Sequence, residues 1–261
     1  MSNQEFSDSF DTLLNSYSRS AQFGEQASKA DIVLDEFEKS VLLTKAQEEL
    51  VIDLYTGKNA YGDSFESSEE VRRNLASLVM DAELSPETNT TNIKLGGAHT
   101  TFYTLPDGSG EKPAVWYIVY EEAVLSTDKE KNGCKASVEE DKEKGITGKR
   151  SVMEVVPVTH DEYHKIKKNP FRGPNSRRAL RLDLSNNMVE IICKYDVSKY
   201  CLRYITKPSP IILTDLGDNL EIRGEHIEMP CKLHESLHDK ILERAVLMAI
   251  QSRGNSIKEN K

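Results

Sequence analysis

Residues 114–125 read AVWYIVYEEAVL, a run of β-branched and aromatic side chains over the length of one strand. Such residues suit a pleated, half-buried surface. Upstream, residues 93–105 carry Phe102 and Tyr103 in a second such run, and Pro106-Asp107-Gly108-Ser109-Gly110 between the two has the chemistry of a turn. Downstream, Val152 to Val158, 178–184, 188–195 and Tyr200 to Thr206 read as further strands, with a turn at Ser185-Asn186-Asn187 and a short helix at 160–168. Pro208 and Pro210 then interrupt any ladder, so Ile211, Ile212 and Leu213 belong to an edge or to a new strand. A small hairpin, 220–222 with 227–229, precedes a final helix at about 232–251.

Before Ser85-Pro86 the period is helical. Phe6, Phe10, Leu13, Leu14 and Tyr17 recur at helix spacing, and Asp31 precedes a second run through Leu34, Phe37 and Val41. Thr44 with Gln47 reads as a capping box ahead of Leu50, Val51 and Leu54, closed near Gly57. Ser67 with Glu70 reads as another, ahead of Val71, Leu75, Leu78, Val79 and Ala82. The fold class expected is α+β: N-terminal amphipathic helices, a mostly antiparallel β region and a C-terminal packing helix. The sections are a helical 1–84, a β-rich 85–158 with a charged arm at 127–150, an α+β 159–251 ending in a helix, and a polar tail at 252–261.

The 261 residues are 38% hydrophobic and 30% charged, enough for one large domain or two small ones around a buried core. A mean hydropathy of −0.55 and the lack of an 18-residue apolar run exclude a membrane-spanning helix. Met1 to Asp11 has neither the basic nor the apolar region of a signal peptide. Four cysteines, none in a C-x-x-C pair, make neither a disulfide framework nor a zinc ribbon. Cys193 and Cys201 are expected in the core, Cys231 is expected to be a small buried residue, and Cys134 falls in the charged arm. A soluble protein of a reducing compartment is expected.

The net charge of −9 is unevenly laid out. Residues 1–87 hold 18 acidic against 7 basic side chains, whereas 165–181 holds Lys165, Lys167, Lys168, Arg172, Arg177, Arg178 and Arg181 with no acid. Residues 127–150 carry 7 basic and 6 acidic side chains with few aliphatic ones, a composition that buries too little to offset its ordering entropy. An acidic face and a basic face on one chain suit head-to-tail association of copies. The plainer reading of any one cluster is solvated surface.

The sharpest motif is His234-Glu235-Ser236-Leu237-His238, a literal H-E-x-x-H. In zinc metalloproteases the two imidazoles sit one helix turn apart on the metal and the glutamate activates its water. Here Asp239 and Lys240 follow where an uncharged, buried helix is needed, and Glu243 is too close to supply the third ligand. The motif also lies beside the apolar stripe Leu237, Ile241, Leu242, Ala245, Val246 and Ala249. A chance match at the start of a packing helix is favoured, with a zinc metallohydrolase as the alternative. Cys231, His234 and His226 fit no familiar zinc spacing, and no phosphate-binding glycine pattern occurs, Gly96-Gly97 being a lone turn. Phe171 within the basic stretch gives a weak nucleic-acid signal that the acidic chain as a whole opposes. No catalytic residue, cofactor site or metal site emerges, and no enzyme is expected.

Several stretches resemble structural proteins of crAss-like bacteriophages, tailed viruses whose ring proteins stack below the portal. They are DIVLDEFEKSVLLTKAQEELVIDLYTGK at 31–58, FESSEEVRRNLASLV at 65–79, THDEYHKIKKNPFRGPNSRRALRLDL at 159–184, KYCLRYITKPSPIIL at 199–213 and EMPCKLHESLHDKILERAVLMA at 228–249. The resemblance implies a virion component of the tail or head-to-tail connector, in twelve copies matching the portal. Its partners would be its own copies, the portal or neighbouring tail rings, and DNA passing through the channel, with no membrane. On charge alone, the interface expected sets Lys167, Lys168, Arg172, Arg177 and Arg178 against Glu36, Glu38, Glu69 and Glu70 of a neighbour. The arm at 127–150 would order on that neighbour, and the prolines around Ser209 would limit strand pairing between copies.

Overall fold

In chain order the elements are α1 (Asn3–Ser20), α2 (Glu36–Thr56), α3 (Glu69–Asn74), a 3-10 turn (Ala76–Leu78), β1 (Val79–Leu84), β2 (Thr100–Thr104) and β3 (Val115–Leu125). There follow β4 (Val152–Pro157), α4 (His160–Ile166), β5 (Arg178–Asp183), β6 (Met188–Ile192), β7 (Val197–Thr206), a 3-10 turn (Glu235–Leu237) and α5 (His238–Glu259). The computed structural model describes residues 1–20, 34–59, 62–88, 92–95, 99–110, 112–126, 152–217 and 220–259. The arm at 127–150, Cys134, Gly96-Gly97 and Asp31 lie outside the described residues. Helices and a mixed sheet together make the α+β class. The chain divides into two compact units, Met1–Leu78 with Lys207–Lys261, and Val79–Thr206. The cuts fall inside the stretches 1–84 and 159–251 that the sequence treats as continuous.

In the helical unit, Phe6, Phe10 and Leu14 are fully buried on one face of α1. The stripe Leu237, Ile241, Leu242, Ala245, Val246 and Ala249 is buried along the closing helix, as its spacing requires. Lys39 is buried where α1 meets α2, its Nζ donating to Asp11 at 2.7 Å, to Glu36 at 3.0 Å and to Ser7 Oγ at 3.0 Å.

The run through Phe37 and Val41 and the run after Thr44 are one helix, α2. Asp35 is its N-cap, accepting from Glu38 N–H while the Glu38 carboxylate accepts from Asp35 N–H. Thr44 and Gln47 therefore open no helix and sit in the interior of this one. Their side chains serve a segment far along the chain. Thr44 Oγ1 accepts from Ile211 N–H at 3.0 Å, Ser40 Oγ accepts from Leu213 N–H at 3.0 Å, and Gln47 donates to Ser209 C=O at 2.8 Å. A polar stripe on one helix face thus satisfies a proline-bounded segment that has little sheet to join. Ile212 makes one further pair of bonds, with Met229, at 2.9 Å each. Gly57, with φ of +73°, ends α2 in the left-handed conformation that glycine adopts without strain.

A second correction concerns residues 79–84. The helix opened after Ser68 stops at Asn74, and Val79 and Ala82, expected on its apolar face, lie instead in β1. Six consecutive residues of β1 pair antiparallel with β7, from Val79 opposite Ile205 to Leu84 opposite Tyr200. That ladder outweighs local helix preference.

The second unit is a seven-stranded sheet in the order β1-β7-β3-β4-β5-β6-β2, antiparallel except where α4 carries the chain from β4 to the parallel β5. Beyond β1, Glu87 N–H donates to Phe102 C=O of β2 at 2.9 Å, so the sheet curls until its two edges are linked. Tyr103, Ala123, Met153, Ala179, Ile191, Tyr200 and Leu202 fill its inner face. Leu180, Leu182 and Ile192 face the other way, beneath Tyr163 and Ile166 of α4. Among the inner residues lies a buried ion pair, Arg181 Nη1 with Glu121 Oε1 at 2.8 Å, and Tyr200 donates its hydroxyl to Glu121 Oε2 at 2.6 Å. Arg181 also meets Asp183 at 2.9 Å. Asn186 and Asn187, both at positive φ, form the turn read from the sequence between β5 and β6. Cys193 is buried as expected, whereas Cys201 alternates onto the outer face of β7 and is half-exposed.

Replacing Thr44 by Val keeps its volume but leaves Ile211 N–H buried without an acceptor. Urea denaturation should show a loss of about 1–3 kcal/mol with unchanged m-value, the cost of one orphaned buried donor.

Candidate subunit interface

The basic stretch is divided by the strand that it enters. Arg181 turns inward, while Lys167, Lys168, Arg172 and Arg177 are exposed and Arg178 is half-buried at the start of β5. The exposed four, with Phe171, ride on one loop between α4 and β5. That loop is tightly built. Thr159 caps α4, and past its end Asn169 Oδ1 accepts from Phe171 N–H at 2.9 Å and from Arg172 N–H at 3.2 Å. Asn175 Oδ1 does the same for Arg177 and Arg178 N–H, and Arg178 Nη1 donates to Phe171 C=O at 3.3 Å. Gly173 N–H donates to Asn169 C=O at 2.8 Å. A Cβ at Gly173 would stand 2.7 Å from both the Asn169 and Ile166 carbonyl oxygens, so only glycine fits. The result holds Phe171 with 84% of its surface exposed, on the same loop as four exposed cations.

The acids expected opposite them lie in the helical unit and differ in availability. Glu36 Oε1 accepts from both Ser7 Oγ and Lys39 Nζ, while its Oε2 is buried, so its carboxylate is turned toward its own unit. Glu38 is exposed while completing the α2 capping box. Glu69 pairs with Arg73 at 2.8 Å on an exposed surface, a contact of little energetic weight, and Glu70 is exposed beside it.

His234 and His238 do not make a metal pair. His234 caps the 3-10 turn and its Nδ1 meets Ser236, whereas His238 is buried at the start of α5. His238 Nε2 donates to Leu233 C=O at 3.1 Å, and Nδ1 accepts from the Met1 amino group at 2.9 Å, so both ring nitrogens are occupied. Its ring lies 5.2 Å from that of Phe6, as part of the packing between helices. Cys231 Sγ points to Gln47 Oε1 at 3.3 Å, and burial pushes its thiol up, away from a reactive thiolate. Among the described residues no three His, Cys, Asp or Glu side chains gather to hold a metal. No described helix is long and apolar enough to cross a membrane.

A family model described as phage tail ring protein 3/4 matches residues 1–261. The chain belongs to that family. It is similar to Ring protein 3 of Bacteroides phage crAss001, 43% identical over 255 residues that cover 97% of this chain and 96% of the relative. Ring protein 4/5 of the same phage is 28% identical over 258 residues, 95% of this chain and 92% of the relative. The resemblance carried by residues 31–58, 159–184 and 228–249 is thus one of family membership, which makes this ring protein a structural component of a phage virion.

Two features of this family member escape a reading by composition. Phe171 looks like one aromatic among cations until the loop's hydrogen bonds show it held outward. A groove of about 420 Å³ between α2 and α5 likewise has only one sequence signal, Leu247, an apolar residue off the buried stripe of α5.

Substituting Gly173 by Ala should force the loop open, costing about 1–3 kcal/mol in denaturation and speeding tryptic cleavage after Arg172. A second outcome follows from His238, whose imidazole burial holds below its ordinary range. The unfolded chain takes up a proton near pH 6.5. The folded chain does so only at lower pH, so stability is intact above about 6.5 and falls as pH drops through that window. His238→Gln should flatten that limb in denaturant titrations across it.

Proposed function

We propose that the chain forms a non-enzymatic, homo-oligomeric ring in the portal–tail connector of a tailed phage. Twelve copies would surround the DNA channel and join portal to tail, assembling in the host cytoplasm. Similarity to Ring protein 3 along nearly the whole of both chains is the observation that carries this reading. Its partners are its own copies, the portal or adjoining tail rings, and DNA in passing.

A closed ring needs heterologous contacts, in which one surface of each copy meets a different surface of the next. The uneven charge of the chain supports that reading. Lys167, Lys168, Arg172 and Arg177 stand together on one loop, and 1–87 holds 18 acids against 7 bases. Glu38, Glu69 and Glu70 remain the acids suited to a neighbour, and Glu36 would contribute through its field alone. Exposed charges of this kind orient approach and set partner choice more than they add affinity. Arg178 belongs to the same basic group, with its guanidinium also bracing the loop from within.

Electron-microscopy reconstruction of the particle tests the assignment directly: a ring of this chain between portal and tail is the expected result, and its absence there would overturn it. Reversing Arg172 and Arg177 to Glu, with Arg178 left to brace the loop, should slow association of copies by about tenfold or more at low salt and by less at high salt. Unchanged assembly kinetics would remove the basic loop from the interface.

A further inference from the structure

Phe171 is the most exposed large apolar side chain on the described surface, and it is held there on purpose-built backbone. Its N–H is bound by Asn169 and its C=O by Arg178, and the turn closes only because Gly173 lacks a Cβ. A backbone fixed before binding loses little entropy when a partner arrives, and aromatic anchors carry a large share of interface energy.

The helical unit offers a matching receptor. The groove between α2 and α5 is lined by the apolar Ile52, Leu247 and Met248 together with Glu49, Asp53, Arg244 and Gln251. Arg244 holds Asp53 at 2.6 Å and so fixes one wall. Leu247 is 48% exposed, off the buried stripe of α5, and methionine adapts its shape to an inserted ring. With Asp53 paired to Arg244, Glu49 is the lining carboxylate that would face the cations of the knob.

We propose that Phe171 of one copy seats in the α2–α5 groove of the next copy in the ring, with Lys167, Lys168, Arg172 and Arg177 facing its Glu49. This rests on the ring reading above. A ring subunit must carry both halves of its contact, and here one chain carries a cationic knob on its sheet unit and a groove with Glu49 on its helical unit. The second copy is preferred over DNA as occupant because apolar side chains beside Glu49 suit an aromatic among cations, and because the chain as a whole is at −9.

The test keeps the aromatic in place. Position 171 is replaced by the photoreactive p-benzoylphenylalanine, the full chain is assembled with the other virion proteins, and the particles are irradiated. Covalent dimers and longer ladders on a denaturing gel, with the attachment mapped to residues 49–53 or 244–251, are expected. Leu247→Glu should lower that product about tenfold or more without lowering the melting temperature of the isolated chain. Attachment elsewhere on another copy, to a different virion protein or to DNA, attachment within one copy, or no attachment at all overturns the docking. If microscopy shows rings in those particles, the ring reading stands while this inference fails; if the chain forms no ring, the ring reading itself fails.

Discussion

Arg181 reaches Glu121 at 2.8 Å inside the curled sheet, tying β5 to β3 across the intervening β4, while the Tyr200 hydroxyl brings in β7. Both charges leave water together, and burial pushes the Glu121 carboxyl up against the opposing pull of Arg181 and Tyr200. Removing either partner would strand the other at a cost of about 3–5 kcal/mol. Ala123 and Ala179, two residues along the same faces, leave room for these long side chains. The pair also locks register. With Arg181 inward, alternation sets Leu180 and Leu182 on the outer face beneath α4, and a slip of one residue would exchange them.

That register carries through to the displayed loop. Helix α4 is seated by Tyr163 and Ile166 against Leu180, Leu182 and Ile192, so both ends of the segment 167–177 are fixed before its own hydrogen bonds are counted. Asn169, Gly173 and Asn175 then leave the backbone few alternatives. Exposure of Phe171 is therefore a property of the folded sheet unit and needs no partner to arrange it. A ring built from such subunits would recruit preformed surfaces, and its cooperativity would come from closure more than from refolding.

The parts of the fold that rest on local pattern were legible. The 115–125 strand, the Asn186-Asn187 turn and the buried stripe of α5 follow from side-chain periodicity and turn chemistry. What escaped depends on contacts distant in sequence. Thr44 and Gln47 have the spacing of a cap, yet their partners are Ile211 and Ser209. Val79 to Leu84 has a helical pattern until β7 offers a ladder. Arg181 looks like the last of seven surface cations because nothing local announces Glu121, sixty residues away. The H-E-x-x-H stretch failed as a site for the same reason: burial under α1 claims His238 for packing. Of the candidate interface, its cationic half was readable from composition, whereas Glu36 proved internally paired and the apolar knob and groove needed the structure.

The charge layout bears on how copies of one chain can meet at all. Each carries the same −9, so at distances beyond about 8–10 Å in ordinary salt they repel weakly or ignore one another. Attraction must come from local asymmetry, acting only when a cationic loop faces an acidic helical surface. That restricts productive encounters to one orientation and disfavours symmetric pairing of like faces, which would set acid against acid. Such a layout favours propagation from copy to copy over closure into dimers. Charge alone holds poorly once water and salt have access. A desolvated apolar contact at the centre of a charged rim would supply the missing affinity, and an exposed Phe171 among four cations has the composition of such a centre.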